Sequence, residues 1–281
     1  MIVDAHHHFW DPARRDYPWM GDELAAIRRR FGPDELRPLV RANKIDRTVV
    51  VQTVSSVGET SEFLETAEAT DFVAGVVGWV DLTDPNVTET ISALRKGFPE
   101  GLLVGIRHQV HDEADPRWLL REEVVRGIRA VGEADLVYDL LVRARELPAA
   151  LQLVRQLPEV TFVIDHAGKP RIAAGPRDIE WEQAMAPLAD CPNVSCKLSG
   201  LVTEARWDSW TPRDLEPYVK RVVDWFGPTR CMVGSDWPVC LLASTYDGVL
   251  EAMREAVSDL SPSENEAVFG GNAARVYRLS E

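Results

Sequence analysis

The chain has 281 residues, 45% of them hydrophobic, which is too apolar for a disordered chain and enough for one large α/β core or two small ones. Lysine and arginine total 31 against 45 for aspartate and glutamate, and the formal charge of −14 repels phosphate backbones and anionic membrane surfaces, so neither nucleic acid nor a membrane is expected as a partner. No run approaches the roughly 20 apolar residues of a membrane helix, no basic segment precedes an apolar one near the start, and the four cysteines lack C-x-x-C spacing, all of which predicts a reducing, cytoplasmic setting.

In chain order, the first apolar run covers residues 2–6 and leads into His7-His8-Phe9-Trp10. The stretch from Phe9 to about Ile45 is long for a strand-to-helix connection and carries Trp10, Tyr17, Pro18 and Trp19, which predicts a long loop folded over one end of the molecule. Further near-continuous, β-branched runs follow at 47–53, 72–80, 102–108, 136–142, 160–166, 193–199 and 230–236, each reading as a strand buried on both faces. Helical stripes lie between them. Val124, Val125, Ile128 and Val131 form one; Leu215, Tyr218, Val219, Val222, Val223 and Phe226 form another that stops at Gly227-Pro228. Near the end, Ser263 and Glu266 have capping-box spacing ahead of an apolar segment with Val268 and Phe269. Eight strands alternating with helices predict an α/β fold, a single (β/α)8 TIM barrel forming one domain over residues 1–281. A doubly wound sheet is the competitor, and the absence of G-x-G-x-x-G after the first strand argues against it.

Chemistry in such barrels gathers where the strands end. The first run closes with Asp4, His6 and His8, the fourth with Arg107 and His108, the sixth with Asp165 and His166 followed by Lys169, and the eighth with Gly234-Ser235-Asp236-Trp237-Pro238; the seventh carries Lys197. Side chains alternate along a strand, so His6 and His8 share a face and offer two imidazoles to one point, while His7 points the other way into packing or surface. His6, His8, His166 and Asp236 fit two roles. They could hold one Zn²⁺-like ion with an open position for water. Without metal, the imidazoles could donate hydrogen bonds to a carbonyl while Asp236 takes the proton of an attacking water. Both routes end in hydrolysis of a polarised carbonyl.

These blocks resemble the amidohydrolase superfamily: Asp4-Ala5-His6-His7-His8-Phe9-Trp10, Gly105-Ile106-Arg107-His108, Ile164-Asp165-His166-Ala167-Gly168-Lys169-Pro170, Cys196-Lys197-Leu198-Ser199-Gly200-Leu201, Gly234-Ser235-Asp236-Trp237-Pro238 and Phe269-Gly270-Gly271-Asn272-Ala273. Within it they are similar to the branch of sugar-lactone, pyrone-dicarboxylate and sulfomuconolactone hydrolases. The resemblance implies a lactonase in which His6 and His8 form the strand-one pair, His166 follows the later strand and Asp236 activates water. Binuclear members place a lysine or glutamate at the end of strand four and a histidine on strand five; Arg107-His108 and Tyr138-Asp139 stand there instead, which argues against two metals. One divalent ion, zinc first, or none at all is therefore expected, and a metal-dependent decarboxylase of an aromatic or muconic acid is the alternative activity.

For a lactone substrate, the planar fork of Arg107 is the best clamp for hydroxyl or carboxylate oxygens. His108 and Lys197 are further candidates for substrate contact, and Trp10, Trp19 and Trp237 for packing against a sugar ring. Lys169 reads as structural. The acidic net charge favours a neutral aldonolactone over a doubly anionic pyrone. The expected partner is this small molecule; a homo-oligomer is compatible with the length but no apolar stripe demands one.

Overall fold

In the structure, a computed structural model describing residues 1–280, each of the eight apolar runs overlaps a parallel strand. The strands are β1 (Val3–His7), β2 (Arg47–Val51), β3 (Val73–Gly78), β4 (Leu103–His108), β5 (Val137–Leu140), β6 (Phe162–Ile164), β7 (Val194–Leu198) and β8 (Cys231–Val233), hydrogen-bonded in that order. Beyond the last strand the Asp236 amide donates to the His6 carbonyl at 2.8 Å and the His8 amide to Trp237 at 2.6 Å, which brings β8 back onto β1 and closes the ring. The fold is a (β/α)8 barrel. β8 is shorter than its apolar run because the chain leaves the extended conformation before Asp236, whose φ is 57°.

Helices α1 (Pro33–Ala42), α2 (Val57–Glu68), α3 (Val87–Gly97), α4 (Glu122–Glu133), α5 (Leu147–Gln156), α6 (Ile179–Ala189), α7 (Leu201–Glu204), α8 (Pro212–Phe226), α9 (Tyr246–Ala256), α10 (Pro262–Glu266) and α11 (Asn272–Tyr277) complete the chain. The α4 and α8 stripes are buried as their spacing requires, and Gly227 ends α8 with a φ of 73°. Two expectations are corrected. The segment after β1 is not all loop, since Pro33 at a first helical position starts α1 within it. The capping box lies at Ser261 and Glu264 rather than Ser263 and Glu266, because Pro262 fits only the first turn and so sets where α10 begins.

Alternation along the strands divides the apolar side chains in two. Val50, Val76, Ile106, Tyr138, Phe162, Leu198 and Val233 pack outward with the helices in the main core. Val3, Val49, Val77, Val137, Val163 and Met232 form a second cluster with Ala273, Val276, Tyr277 and Leu279, so α11 seals the end of the barrel opposite the strand termini. Tyr277 reaches further in, and its hydroxyl lies 2.8 Å from both carboxylate oxygens of Asp139. All four cysteines are free and buried. Among the described residues, no helix is long and apolar enough to cross a membrane.

Because the Tyr277 hydroxyl bonds a buried carboxylate, Tyr277→Phe is expected to lower the unfolding free energy by about 2 kcal/mol. Urea melts of the two proteins check this, and an unchanged midpoint would show that α11 is held by its apolar contacts alone.

Candidate active site

The strand ends deliver the predicted imidazoles and carboxylate to one point. His6 Nε2 and His8 Nε2 stand 3.2 Å apart, and Asp236 Oδ1 lies 3.2 Å from His8 Nε2 and 3.8 Å from His6 Nε2. The His166 ring centroid is 4.5 Å from that of His6, and ligand atoms of His6, His166 and Asp236 lie within 4.8 Å of one another. His7 faces away, buried, with Nε2 2.8 Å from Thr48 Oγ1. His166 and Asp236 both adopt left-handed backbone, φ 53° and 57°, a strained arrangement that turns each side chain back over the barrel. Gly200 makes room for both: its φ is 62°, and a Cβ there would come within 2.4 Å of His166 Nδ1 and 3.0 Å of Asp236 Oδ2.

Each group is held from behind. Asp4 accepts from the Ser235 amide (2.8 Å) and hydroxyl (2.6 Å) and from Tyr246 (3.0 Å), which fixes the turn ahead of Asp236. His8 Nδ1 donates to the Val51 carbonyl at 2.7 Å, and His166 Nδ1 lies 2.9 Å from Ser199 Oγ. Beneath His6 is a buried charge network in which Lys197 Nζ stands 2.6 Å from Asp139 and 3.0 Å from Asp165, and Arg107 Nη1 stands 3.0 Å from Asp165. The same Nη1 is 3.3 Å from His6 Nε2. His6 Nδ1 in turn lies 3.2 Å from Lys197 Nζ and 3.3 Å from Asp165 Oδ1, so a cationic donor stands at each ring nitrogen. Both Nε2 atoms face Asp236 Oδ1, at 3.8 Å from His6 and 3.2 Å from His8.

Burial drives His6 well below its ordinary range and takes His166 down to about 4, despite the opposing pull of Asp165 on the first and Asp236 on the second. Burial would raise Asp236, yet His166, the His8 hydrogen bond and His6 together hold it below the usual carboxylate range. Near neutrality a carboxylate thus meets uncharged imidazoles at His6 and His166. His6 Nε2, His8 Nε2 and Asp236 Oδ1 converge within 3.8 Å of one another. A tetrahedral zinc ion, at about 2.0–2.1 Å from imidazole nitrogen, spaces two such ligands by about 3.3 Å, close to the 3.2 Å seen between His6 and His8. The donor set fits a divalent cation.

Over this cluster opens a cavity of about 390 Å³. His8, Arg107, His166 and Asp236 line its floor; Trp19 and Leu24 come from the segment after β1, Gln109, His111 and Asp112 from the turn after β4, and Arg143, Lys169, Thr203, Glu204, Trp207, Val239 and Leu242 from other connections. Arg107 is an anchored wall rather than a free clamp, because Gln52 takes its Nε and Nη2 through Oε1 and the carbonyl.

Four residues expected to contact substrate lie outside the lining. Trp10 is buried against Phe31 and donates to the Ile27 carbonyl at 3.0 Å. Trp237 is buried edge-on between Phe9 and Phe31. His108 follows the inward Arg107 and so points outward, stacked on Trp118 at 4.2 Å with Nε2 2.9 Å from Glu113. Lys197 is fully buried between Asp139 and Asp165. Lys169 pairs with Glu204 at the rim. The reading of strand ends passed over Gln52, Ser199, Gln109, His111, Asp112, Arg143 and Glu204. Most lie one to four residues past a strand, so a wider window at each strand end would have collected them.

The arrangement has counterparts among known proteins. L-fucono-1,5-lactonases of Burkholderia ambifaria and Burkholderia multivorans are 44% and 41% identical to this chain, covering 99% of it in each case and 95% and 96% of their own lengths. A crystal structure of an amidohydrolase from Burkholderia multivorans with bound zinc superposes with a TM-score of 0.93 at 38% identity over the whole of both chains. The amidohydrolase family model matches residues 3–279. By that match and these identities, the chain belongs to the amidohydrolase family.

Proposed function

We propose that this enzyme hydrolyses a sugar-derived lactone, with L-fucono-1,5-lactone as the first substrate to test. The carrying observation is an ionised Asp236 facing uncharged imidazoles on the floor of a cavity whose size suits a small ring. The 44% identity to an L-fucono-1,5-lactonase over nearly the full length supports the substrate class. Decarboxylation, the alternative, has only the shared donor set in its favour, and the absence of CO₂ release from aromatic acids would retire it.

In this reading Asp236 accepts a proton from a water held against its carboxylate while that water's oxygen attacks the lactone carbonyl. The carbonyl oxygen gains negative charge and the Arg107 guanidinium, fixed by Gln52 and Asp165, supplies a nearby positive field. Collapse breaks the ring C–O bond and the proton held by Asp236 passes to the departing alkoxide, leaving a hydroxy acid that ionises. A lactone is an activated ester, so polarisation and one base suffice. His6, His8, His166 and Asp236 would hold a divalent ion, zinc first given the bound zinc of the Burkholderia multivorans structure; such an ion supplies electrophilic polarisation of the carbonyl.

Asp236→Asn should lower kcat/KM by about 10³-fold, the scale of a lost general base, with little change in melting temperature; near-normal turnover would remove this mechanism. Metal-stripped protein titrated calorimetrically with Zn²⁺ should take up one ion per chain, and His6→Ala should weaken that binding more than tenfold. Because burial holds His6 and His166 down, the latter at about 4, the acid limb of kcat/KM should fall near pH 4 rather than near 6.5. Acidification through that point charges His166 beside Asp236, and a limb near 6.5 would mean that the site is wetter than its burial implies.

A further inference from the structure

The reacting end of a sugar-derived 1,5-lactone is not symmetric. In the reaction proposed above Asp236 returns its proton to the departing ring oxygen, and the carbon bonded to that oxygen is the one that carries the exocyclic substituent. Asp236 stands just past the end of β8. The exocyclic carbon is thereby brought beside the connection that follows β8.

That side of the cavity offers hydrocarbon. Val239 and Leu242 line it from the connection after β8, Leu24 from the segment after β1 and Trp207 from the connection after β7, which are neighbouring strands of the closed ring. The short helical turn Asp22–Ile27 and α7 both pack against Val239–Leu242, so the four side chains belong to one continuous wall. Leu24, Val239 and Leu242 are half-buried, and a leucine or valine side chain holds no polar atom, so whichever part of it borders the cavity is apolar. Trp207 is 38% exposed, alone among the tryptophans in being listed with the exposed side chains, and its Nε1 is already engaged by the Thr203 carbonyl at 2.9 Å. The polar side chains of the same arc are spent within the protein: the Thr203 hydroxyl donates to the Gly200 carbonyl at 2.9 Å, and Glu204 pairs with Lys169. The Trp19 nitrogen is buried out of reach of solvent.

Across the ring the wall changes character. β4 and β5 lie opposite β8 and β1, and the connections after them bring Gln109, Asp112 and Arg143 to the cavity, the last two exposed. We propose that Leu24, Trp207, Val239 and Leu242 form a methyl-reading arc, which seats the exocyclic carbon of a 6-deoxy sugar lactone and disfavours a hydroxymethyl group there, while the ring hydroxyls turn to the polar side. This rests on the lactonase reading and deepens it by naming deoxy lactones as the substrate class. A hydroxyl carried into the arc leaves water and finds no partner, and a missing methyl leaves the wall uncovered; in a hydrophobic pocket either change is worth a factor of about 10 to 100. The arc touches no reacting atom, so its contacts are the same before and during ring opening and their loss appears in KM.

The experiment measures kcat and KM for wild type, Val239→Thr and Trp207→Ala on L-fucono-1,5-lactone, on L-galactono-1,5-lactone, which adds a hydroxyl to the exocyclic carbon, and on D-arabinono-1,5-lactone, which lacks that carbon. Wild type should favour the methyl lactone over each of the others by about tenfold in kcat/KM, mainly through KM. Val239→Thr keeps the side-chain shape and places a hydroxyl in the arc, so the preference over L-galactono-1,5-lactone should shrink by about threefold or more. Trp207→Ala removes an exposed ring without emptying the core, and should narrow the preference over D-arabinono-1,5-lactone by a similar factor. The wild-type comparison needs no altered fold. A wild type that opens the three equally, or favours the hydroxymethyl lactone, would overturn the methyl-reading arc and leave the lactonase reading standing. Variants that leave the ratios among the three lactones unchanged would overturn it as well, whereas a wild type that opens no sugar lactone would overturn the lactonase reading and this inference with it.

Discussion

The site depends on one buried carboxylate. Asp165 is inaccessible to solvent and is shared among Arg107, Lys197 and His6. Burial alone would neutralise it, but the two cations and His6 hold it well below the usual carboxylate range. Removing either cation would leave an uncompensated charge in a medium that penalises it by several kcal/mol. Asp165 and Lys197 both pack against His6 Nδ1, which leaves Nε2 facing Asp236. A charge network at the bottom of the barrel thus orients the floor of the cavity above.

The neighbouring Asp139 shows the same economy of charge. Burial pushes it up to about 6, while Lys197 and the Tyr277 hydroxyl oppose that rise. Two carboxylates share Lys197, and Arg107 balances the second, so the network is neutral with both ionised. On the floor of the cavity, Asp236 is a carboxylate with no lysine or arginine partner. Such a group attracts whatever positive character arrives, whether an ion or the developing proton of an attacking water, and its geometry serves both.

The legible part of this molecule follows from the period of two along a strand. Eight apolar runs with β-branched composition could only be buried strands, and His6 and His8 had to share a face with His7 turned away. One misplaced residue, His108, fails for the same reason. It adjoins the cavity-lining Arg107, and in extended chain nearest neighbours in sequence point apart; Trp237 follows Asp236 where the chain is no longer extended, and packs between Phe9 and Phe31. Trp10 has the parity of His8, but by then the strand has ended and the chain pairs with Phe31, which carries the ring away. Lys197 does point inward, yet it lies too deep to meet a ligand.

The cavity wall was less legible because it is built by connections rather than by a repeating element. Position in a strand predicts direction; position in a turn does not, since each turn spends its hydrogen bonds differently. His111 faces the cavity because its amide is tied to Leu141, a contact between residues 30 apart that no local pattern announces. Trp19 is there because three other aromatics, Trp10, Tyr17 and Phe31, stack the segment after β1 into a fixed shape. The floor of the cavity is therefore set by strand ends that the fold constrains, while its wall is set by connections that the fold leaves free. Relatives sharing the histidines and the aspartate can then differ in substrate by changing residues that a strand-based reading passes over.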